Sequence, residues 1–188
     1  MSDPAAGFRR VGEREIHQGY VIRVVEAEFV GPDEESFTRD VVRTPSAVSI
    51  VPVDRGPDDS WEVVLVRQFR APLERSMLEI PAGMCDVDGE APEVTAQREL
   101  AEEAGYQARV IRPLVTYHPA GGFTDHRTTI YLGVGLDAVG RATHGVEEQH
   151  MTVERVPLDA AIAQIHDGRI TDGKTIVGLL LARDRLDA

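Results

Sequence analysis

Three carboxylates stand close together at Glu99, Glu102 and Glu103 of this 188-residue chain. Helical periodicity predicts a helix over residues 92–104, with apolar side chains on one side and these glutamates on the other. Glu99 lies three and four positions before the other two, so each pair of like charges costs about 0.2–0.5 kcal/mol. The helix dipole also disfavours negative charge in the last turn. Local energetics therefore oppose this arrangement, and Arg98 alone cannot neutralise three carboxylates.

A hard divalent cation would remove this conflict. Mg²⁺ and Mn²⁺ prefer carboxylate oxygens and usually keep coordination positions open for water and for substrate phosphates. The alternative is a solvated acidic face, which is the commoner explanation of a charge-rich helix considered by itself.

The acidic helix is expected to sit within a layered fold. Pro92 suits the first helical position, and Gly105 suits the residue just past the end. Alternating and β-branched residues predict strands around it, and two amphipathic helices are predicted near the C-terminus. The strands are predicted at 47–53, 61–69, 77–80, 108–117 and 128–136, and the helices at 157–167 and 173–185. Mixed strands flanked by helices predict an α/β, or α+β, fold.

The N-terminal part reads differently from the rest. Residues 1–12 lack periodicity and are expected to fray. Residues 18–30 and 37–43 are rich in β-branched and aromatic side chains and flank turn formers, which predicts an antiparallel β-hairpin. Pro45 marks a break. We therefore divide the chain into a tail and hairpin at 1–45 and a main domain at 46–188.

Composition excludes several partners. The chain has 20 Lys plus Arg against 32 Asp plus Glu, a formal charge of −12, so nucleic-acid polymers would be repelled. The single Cys85 cannot form a disulfide within the chain, which is typical of a reducing compartment and makes the cytoplasm the expected location. No apolar run approaches the length of a membrane span, so no membrane partner is expected.

The loop before the helix completes a longer pattern. Residues 83–106, GMCDVDGEAPEVTAQRELAEEAGY, resemble the signature of the Nudix hydrolase superfamily. That signature is Gly, a spacer, Glu, seven residues, Arg-Glu, an apolar residue, any residue, Glu-Glu, any residue and Gly. The match is complete from Glu90 onward, whereas six residues rather than the usual five separate Gly83 from Glu90. A pattern of this length rarely arises by chance, which favours a metal site over a solvated face.

The resemblance implies a Nudix-like α/β/α sandwich with a mixed sheet that holds two or three Mg²⁺ or Mn²⁺ ions per site. Glu102 and Glu103 would be catalytic carboxylates. A catalytic base in this family is commonly a Glu in a late loop, for which Glu148 is the candidate and Glu147 the alternative. Carried over to this sequence, the metal ligands would be Ala82 through its carbonyl, Glu99, Glu102, Glu103 and Glu148. The residues supporting the site would be Gly83, Glu90 and Arg98.

Two further stretches resemble the ADP-ribose pyrophosphatase branch, VRQFRAP at 66–72 and LEIPAG at 78–83. So do the extended N-terminal strands, which in that branch help to build a domain-swapped homodimer. The implied reaction is hydrolysis of the pyrophosphate bond of ADP-ribose, or of a related nucleoside-diphosphate sugar, to AMP or another nucleoside monophosphate and a sugar phosphate. Arg43 and Arg70 become candidate substrate contacts, because an Arg fork matches phosphate oxygens; surface cations are the alternative.

A hypothesis from a different class is a Nudix-like sensor that binds a nucleotide sugar without cleaving it. The intact Glu99, Glu102 and Glu103 favour turnover, since a pure binder has no need of them.

Two other motifs carry less weight. Residues 168–175, GRITDGKT, fit the P-loop pattern letter for letter. A P-loop must follow a strand and feed a parallel sheet, yet this segment follows an amphipathic helix and only 13 residues remain after Thr175. Residues 86–90 hint at a calcium loop, but their Gly is at the fourth position rather than the sixth. We discard both.

Overall fold

The structure is a computed structural model, and it describes residues 7–142 and 145–187. The chain divides into two compact units. The first runs to Ser46 and also takes in the later segment His118–Arg127, which the sequence boundary had left in the main domain. The second contains Ala47–Tyr117 and the chain from Thr128 onward.

The first unit contains an antiparallel sheet of three strands in the order β1-β2-β3, one strand more than the predicted hairpin. The strands are β1 (Arg9–Gln18), β2 (Arg23–Val30) and β3 (Ser36–Arg43). The predicted fraying is wrong from Arg9 onward, because β1 pairs with β2 along its length despite a largely exposed and polar sequence. Tertiary pairing here overrides weak local preference. Residues 1–6 of that prediction lie outside the described residues.

The described residues of the second unit form a mixed sheet of seven strands. They are β4 (Ala47–Arg55), β5 (Trp61–Arg70), β6 (Arg75–Glu79), β7 (Ala82–Met84), β8 (Tyr106–Tyr117), β9 (Thr128–Ala138) and β10 (Thr152–Pro157). The main path is β10-β5-β4-β9-β8, while β6 pairs with β5 and β7 with β4. Strands β4 and β9 are parallel, and the other pairs are antiparallel.

In the part of the chain that the structure describes, four α-helices accompany this sheet: α1 (Pro92–Glu99), α2 (Val146–Gln149), α3 (Leu158–His166) and α4 (Gly173–Leu186). The helix predicted over 92–104 is present, but its last part, Leu100–Ala104, is a wider π-helical turn. It ends at Gly105, whose φ of 76° is the left-handed conformation that glycine adopts most easily. Within the described chain, no helix combines the length and apolar character needed to cross a bilayer.

Alternation along β5 shows how the layers form. Val63 and Leu65 face one core, which includes Leu158 of α3 and Leu179 of α4. Their neighbours Val64 and Val66 face a second core, which includes Ala96 of α1. Successive strand residues point to opposite faces, so this central strand is apolar on both sides. The predicted sandwich of helices around a mixed sheet is confirmed.

Candidate active site

The three acidic residues of α1 and its π-helical turn differ in burial, since Glu99 and Glu102 are partly exposed and Glu103 is buried. Ala96, Leu100 and Ala104 are buried against the sheet and set the rotation of this helical segment. Glu103 follows within the π-helical turn and is itself only 4% exposed. Single π turns are frequent at functional sites, because the extra residue per turn redirects side chains. The turn thus contains a carboxylate that is almost fully buried.

Glu103 is held by the backbone of strand β7. Its Oε2 accepts a hydrogen bond of 2.9 Å from the N–H of Ala82. Burial, helped by the neighbouring charge of Glu99, raises the pKa of Glu103 to about 8, even though the hydrogen bond from Ala82 and the charges of Arg70 and Lys174 lower it. Desolvation of an ionised carboxylate is costly unless a cation lies against it. The site thus contains a carboxylate poised to take a positive partner.

Arg98 gathers the other carboxylates of the signature. Its guanidinium donates to Glu90 at 3.1 Å, to Glu99 at 2.8 Å and to Glu102 at 3.1 Å. Arg98 holds the pKa of Glu90 below its usual range, while burial raises the pKa of Glu99. Glu90 also accepts a hydrogen bond of 2.8 Å from Thr95 Oγ1, which ties the loop to the first turns of α1.

Gly83 lies directly against this cluster. A Cβ built at Gly83 would overlap the carboxylate of Glu99. Strand β7, which contains Gly83, pairs with β4, so the backbone there is fixed by the sheet. Ala82 and Gly83 therefore form a backbone edge in contact with two of the three helical glutamates.

Arg70 ends strand β5 on the same unit. Its Nε and Nη2 donate to the two carboxylate oxygens of Glu79 at 2.8 and 2.5 Å. Glu79 is almost fully buried and also accepts from Lys174. Burial alone would raise the pKa of Glu79, but Arg70 and Lys174 together hold that pKa below its ordinary value.

The late-loop candidates differ in their surroundings. Both belong to the short helix α2, where Glu148 is half-buried and Glu147 is exposed. The charge of Glu148 contributes to the raised pKa of Glu99, which places it electrostatically near the helical cluster. The remaining candidate, Arg43, belongs to the first unit, where it donates to Glu13 at 2.8 Å and to Asp125 at 2.9 Å.

The donor set suits a hard divalent cation in its chemistry. Carboxylate and backbone carbonyl oxygens are the ligands that Mg²⁺ and Mn²⁺ prefer, and Glu103 is desolvated with no side-chain cation hydrogen-bonded to it among the described contacts. Among residues 7–142 and 145–187, no three His, Cys, Asp or Glu side chains converge on a common point as they stand. Arg98 draws Glu99 and Glu102 to itself. Arg98 bonds one oxygen of each, Oε1 of Glu99 and Oε2 of Glu102, and a carboxylate has lone pairs on both of its oxygens.

Comparison with known proteins gives the family. A family model described as NUDIX domain matches residues 43–177. The chain belongs to the Nudix family. An ADP-ribose pyrophosphatase of Mycobacterium tuberculosis is 35% identical to this Nudix chain over 173 residues, 92% of this chain and 82% of that protein. An ADP-ribose pyrophosphatase of Bacillus subtilis is 31% identical over 167 residues, 89% and 88% of the two chains.

A solved structure described as an ADP compounds hydrolase superposes with a TM-score of 0.83 and covers 99% of this chain and 97% of its own. At 21% identity, this likeness supports the fold of the Nudix chain. The family membership confirms the resemblance read from residues 83–106 and the enzyme class it implies, a Nudix hydrolase.

Two polar residues next to the Nudix helix escaped sequence reasoning. Glu79 lies inside the quoted LEIPAG stretch, but its apolar neighbours gave no sign that its carboxylate is buried between two cations. In the sequence, Lys174 stands out as part of the P-loop-like segment 168–175. The sequence did offer one further signal, because Lys174 is the single lysine in a chain with 19 arginines.

The raised pKa of Glu103 makes the metal-free Nudix chain less stable as pH rises. Between the ordinary value of 4.5 and the folded value of about 8, the folded state holds a proton that the unfolded state has released. Stability should therefore fall by about 1.4 kcal/mol per pH unit in this window, relative to a variant that does not titrate there. Urea unfolding of EDTA-treated wild type and Glu103→Gln at several pH values measures this difference. Parallel curves for the two proteins would contradict it.

Proposed function

We propose that this Nudix chain hydrolyses the pyrophosphate bond of ADP-ribose or a related nucleoside-diphosphate sugar, releasing AMP or another nucleoside monophosphate and a sugar phosphate. The observation that carries the proposal is the buried carboxylate of Glu103, placed within the Nudix signature beside Glu99 and the backbone of Ala82. The two relatives named as ADP-ribose pyrophosphatases support the substrate class.

The proposal includes Mg²⁺ or Mn²⁺, two or three ions per site. The residues that would hold them are the carbonyl of Ala82 and the carboxylates of Glu99, Glu102, Glu103 and Glu148. When bound, such ions neutralise charge on a pyrophosphate and make a water molecule more acidic. A chain of formal charge −12 has particular need of this neutralisation when its substrate is an anion.

The chain's own residues do the remaining work. Glu148 accepts the proton of the attacking water, and Glu147 is the alternative base. Arg70 offers the N–H groups not engaged by Glu79 to phosphate oxygens, as a planar guanidinium does well. Glu90 and Arg98 keep the loop and helix in register, so that the carboxylates approach the substrate from one side. Arg43 is retained as a second candidate contact.

The assembly we propose is a homodimer. In it, the first unit is the dimerisation element and contacts a second copy of the chain. Large apolar side chains on and after β1 support it, because Val11 and Ile16 are about half exposed and Tyr20 is fully exposed. The setting we propose is the cytoplasm, in keeping with the single Cys85. Light scattering on the purified chain gives the mass, and a monomer at all concentrations would contradict the dimer.

The experiment that tests the activity is a substrate panel. The purified chain is incubated with Mg²⁺ or Mn²⁺ and with ADP-ribose, other nucleotide sugars and dinucleotides, and products are separated by chromatography and identified by mass. We expect AMP and ribose 5-phosphate from ADP-ribose, with formation abolished by EDTA. Retention of the ligand without any product would instead establish the sensor hypothesis.

A further inference from the structure

Lys174 is the only lysine in the chain, since the other 19 of its 20 basic side chains are arginines. It belongs to the segment 168–175 whose letters imitate a P-loop. In the structure this segment leads from α3 into α4, and Lys174 lies in the first turn of α4 with only 14% of its side chain exposed. A cation so enclosed is expected to have a specific partner.

That partner is the buried carboxylate of Glu79. The ammonium of Lys174 donates to Glu79 Oε2 and, at 3.0 Å, to Oδ2 of Asp172. Both oxygens of Glu79 are also taken by the fork of Arg70. A second guanidinium would compete for the same two oxygens, whereas a compact ammonium needs only one remaining lone pair. This geometry explains a lysine at this position.

Glu79, Lys174 and Arg70 differ in how far their side chains are exposed, which indicates different roles. Glu79 is 1% exposed, Lys174 is 14% exposed and Arg70 is 37% exposed. They line a cavity of about 350 Å³ together with apolar side chains, among them Leu73 and Met77. Arg70 is therefore the member with the most open access to a ligand, and the other two lie behind it.

The same turn of α4 also forms a hydrogen bond with the backbone next to Glu79. Thr175 Oγ1 accepts a hydrogen bond of 2.9 Å from the N–H of Ile80 and donates to Asp172 at 2.6 Å. Ile80 is two residues before Ala82, whose N–H binds Glu103. The start of α4 thus anchors the strand end that leads to the catalytic helix.

We propose that Lys174 is a positioning residue for the Nudix reaction, holding Glu79 so that Arg70 presents its guanidinium to the pyrophosphate of the substrate. This inference rests on the proposed function. Four acidic and basic groups are balanced here, Arg70 and Lys174 against Glu79 and Asp172. Among the described residues, loss of Lys174 leaves Arg70 as the one cation bound to Glu79, with an excess negative charge beside the site.

The kinetic test is a double-mutant cycle. We expect Lys174→Met to lower kcat/KM about 30-fold in the wild-type background but less than about 3-fold when Arg70 is already Ala. If Lys174 acts by positioning Arg70, removing Arg70 also removes the effect of Lys174. Arg109→Met is the matched control, since Arg109 forms an exposed ion pair with Asp137, and it should change nothing. No loss, or the same loss in both backgrounds, would overturn the inference.

The single lysine allows a second test that needs no variant at position 174. Protein grown with lysine carrying ¹³C at Cε gives one side-chain signal by NMR. A methylene-bridged, non-hydrolysable analogue of ADP-ribose should shift this signal in wild type and leave it unchanged in Arg70→Ala. An unchanged signal in wild type at saturating analogue would overturn the proposal even if Lys174→Met failed to fold.

Failure of the proposed function is separately visible. If wild type turns over none of the panel, the hydrolysis proposal fails. Calorimetric titration of ADP into wild type, Lys174→Met, Arg70→Ala and the double variant then tests the role of Lys174 separately. Non-additive losses of affinity support a positioning role for Lys174. Additive losses, or no binding of ADP by wild type, overturn it.

Discussion

Replacing Glu103 by Gln is expected to lower turnover of the nucleoside-diphosphate sugar by about 10³-fold while leaving the fold intact. Glutamine has the shape of the protonated acid, and its carbonyl can still accept the hydrogen bond from Ala82. Since burial raises the pKa of Glu103 to about 8, the metal-free wild type already holds this side chain largely neutral at pH 7. The variant therefore loses an ionisable oxygen ligand rather than a packing group.

Steady-state kinetics with ADP-ribose and thermal unfolding in EDTA measure the two halves of this expectation. The matched control is Glu93→Gln, an exposed glutamate in the first turn of the same helix, which should leave both quantities near wild type. Near-normal turnover by Glu103→Gln would remove this carboxylate from the mechanism. A lowered melting temperature at pH 8 and above would contradict the argument from burial.

A proton should also leave the protein when the metal enters. A carboxylate must be ionised to act as a ligand, and the raised pKa of Glu103 means that the folded, metal-free state holds its proton at neutral pH. Calorimetric titration of Mn²⁺ at pH 7 in buffers of different ionisation enthalpy should show release of about one proton per chain. Glu103→Gln should abolish this release, and equal heats for wild type in all buffers would contradict it.

The acidic helix was predictable because its signal is local. Residue types at fixed spacing are legible in a sequence, and the conflict among Glu99, Glu102 and Glu103 follows from helical geometry alone. The layered fold class was predictable for a similar reason, since strand-like runs and amphipathic helices are also local patterns. The fold class follows from such runs and from the helices between them.

The parts that sequence reasoning missed depend on contacts between distant residues. Strand β1 forms because it pairs with β2, and this pairing is not visible in the polar residues of β1 themselves. The π-helical turn arises where α1 packs on the sheet, and no periodicity in 100–104 announces it. Glu79 and Lys174 are 95 residues apart, and only the folded chain brings them together.

Gly83→Ala is expected to lower turnover by about 10²-fold with little effect on stability, because the atoms nearest to the added methyl belong to the end of one flexible side chain, the carboxylate of Glu99. The new Cβ would occupy the position of the Glu99 carboxylate. The backbone of Gly83 is not in the left-handed region, so alanine can adopt it while β7 keeps its pairing with β4. A flexible side chain yields more readily than a paired strand, so Glu99 moves.

Kinetics and metal titration of Gly83→Ala separate this displacement from a general loss of structure. We expect Mn²⁺ affinity to fall by about 10- to 100-fold, as when a ligand loses its support, with the melting temperature of the metal-free protein within a few degrees of wild type. Gly140→Ala is the matched control, because its Cβ meets open space and its backbone is also outside the left-handed region. Wild-type turnover by Gly83→Ala would mean that Glu99 works from another position. A large fall in melting temperature would mean that the substitution disrupts strand β7 rather than displacing the carboxylate of Glu99.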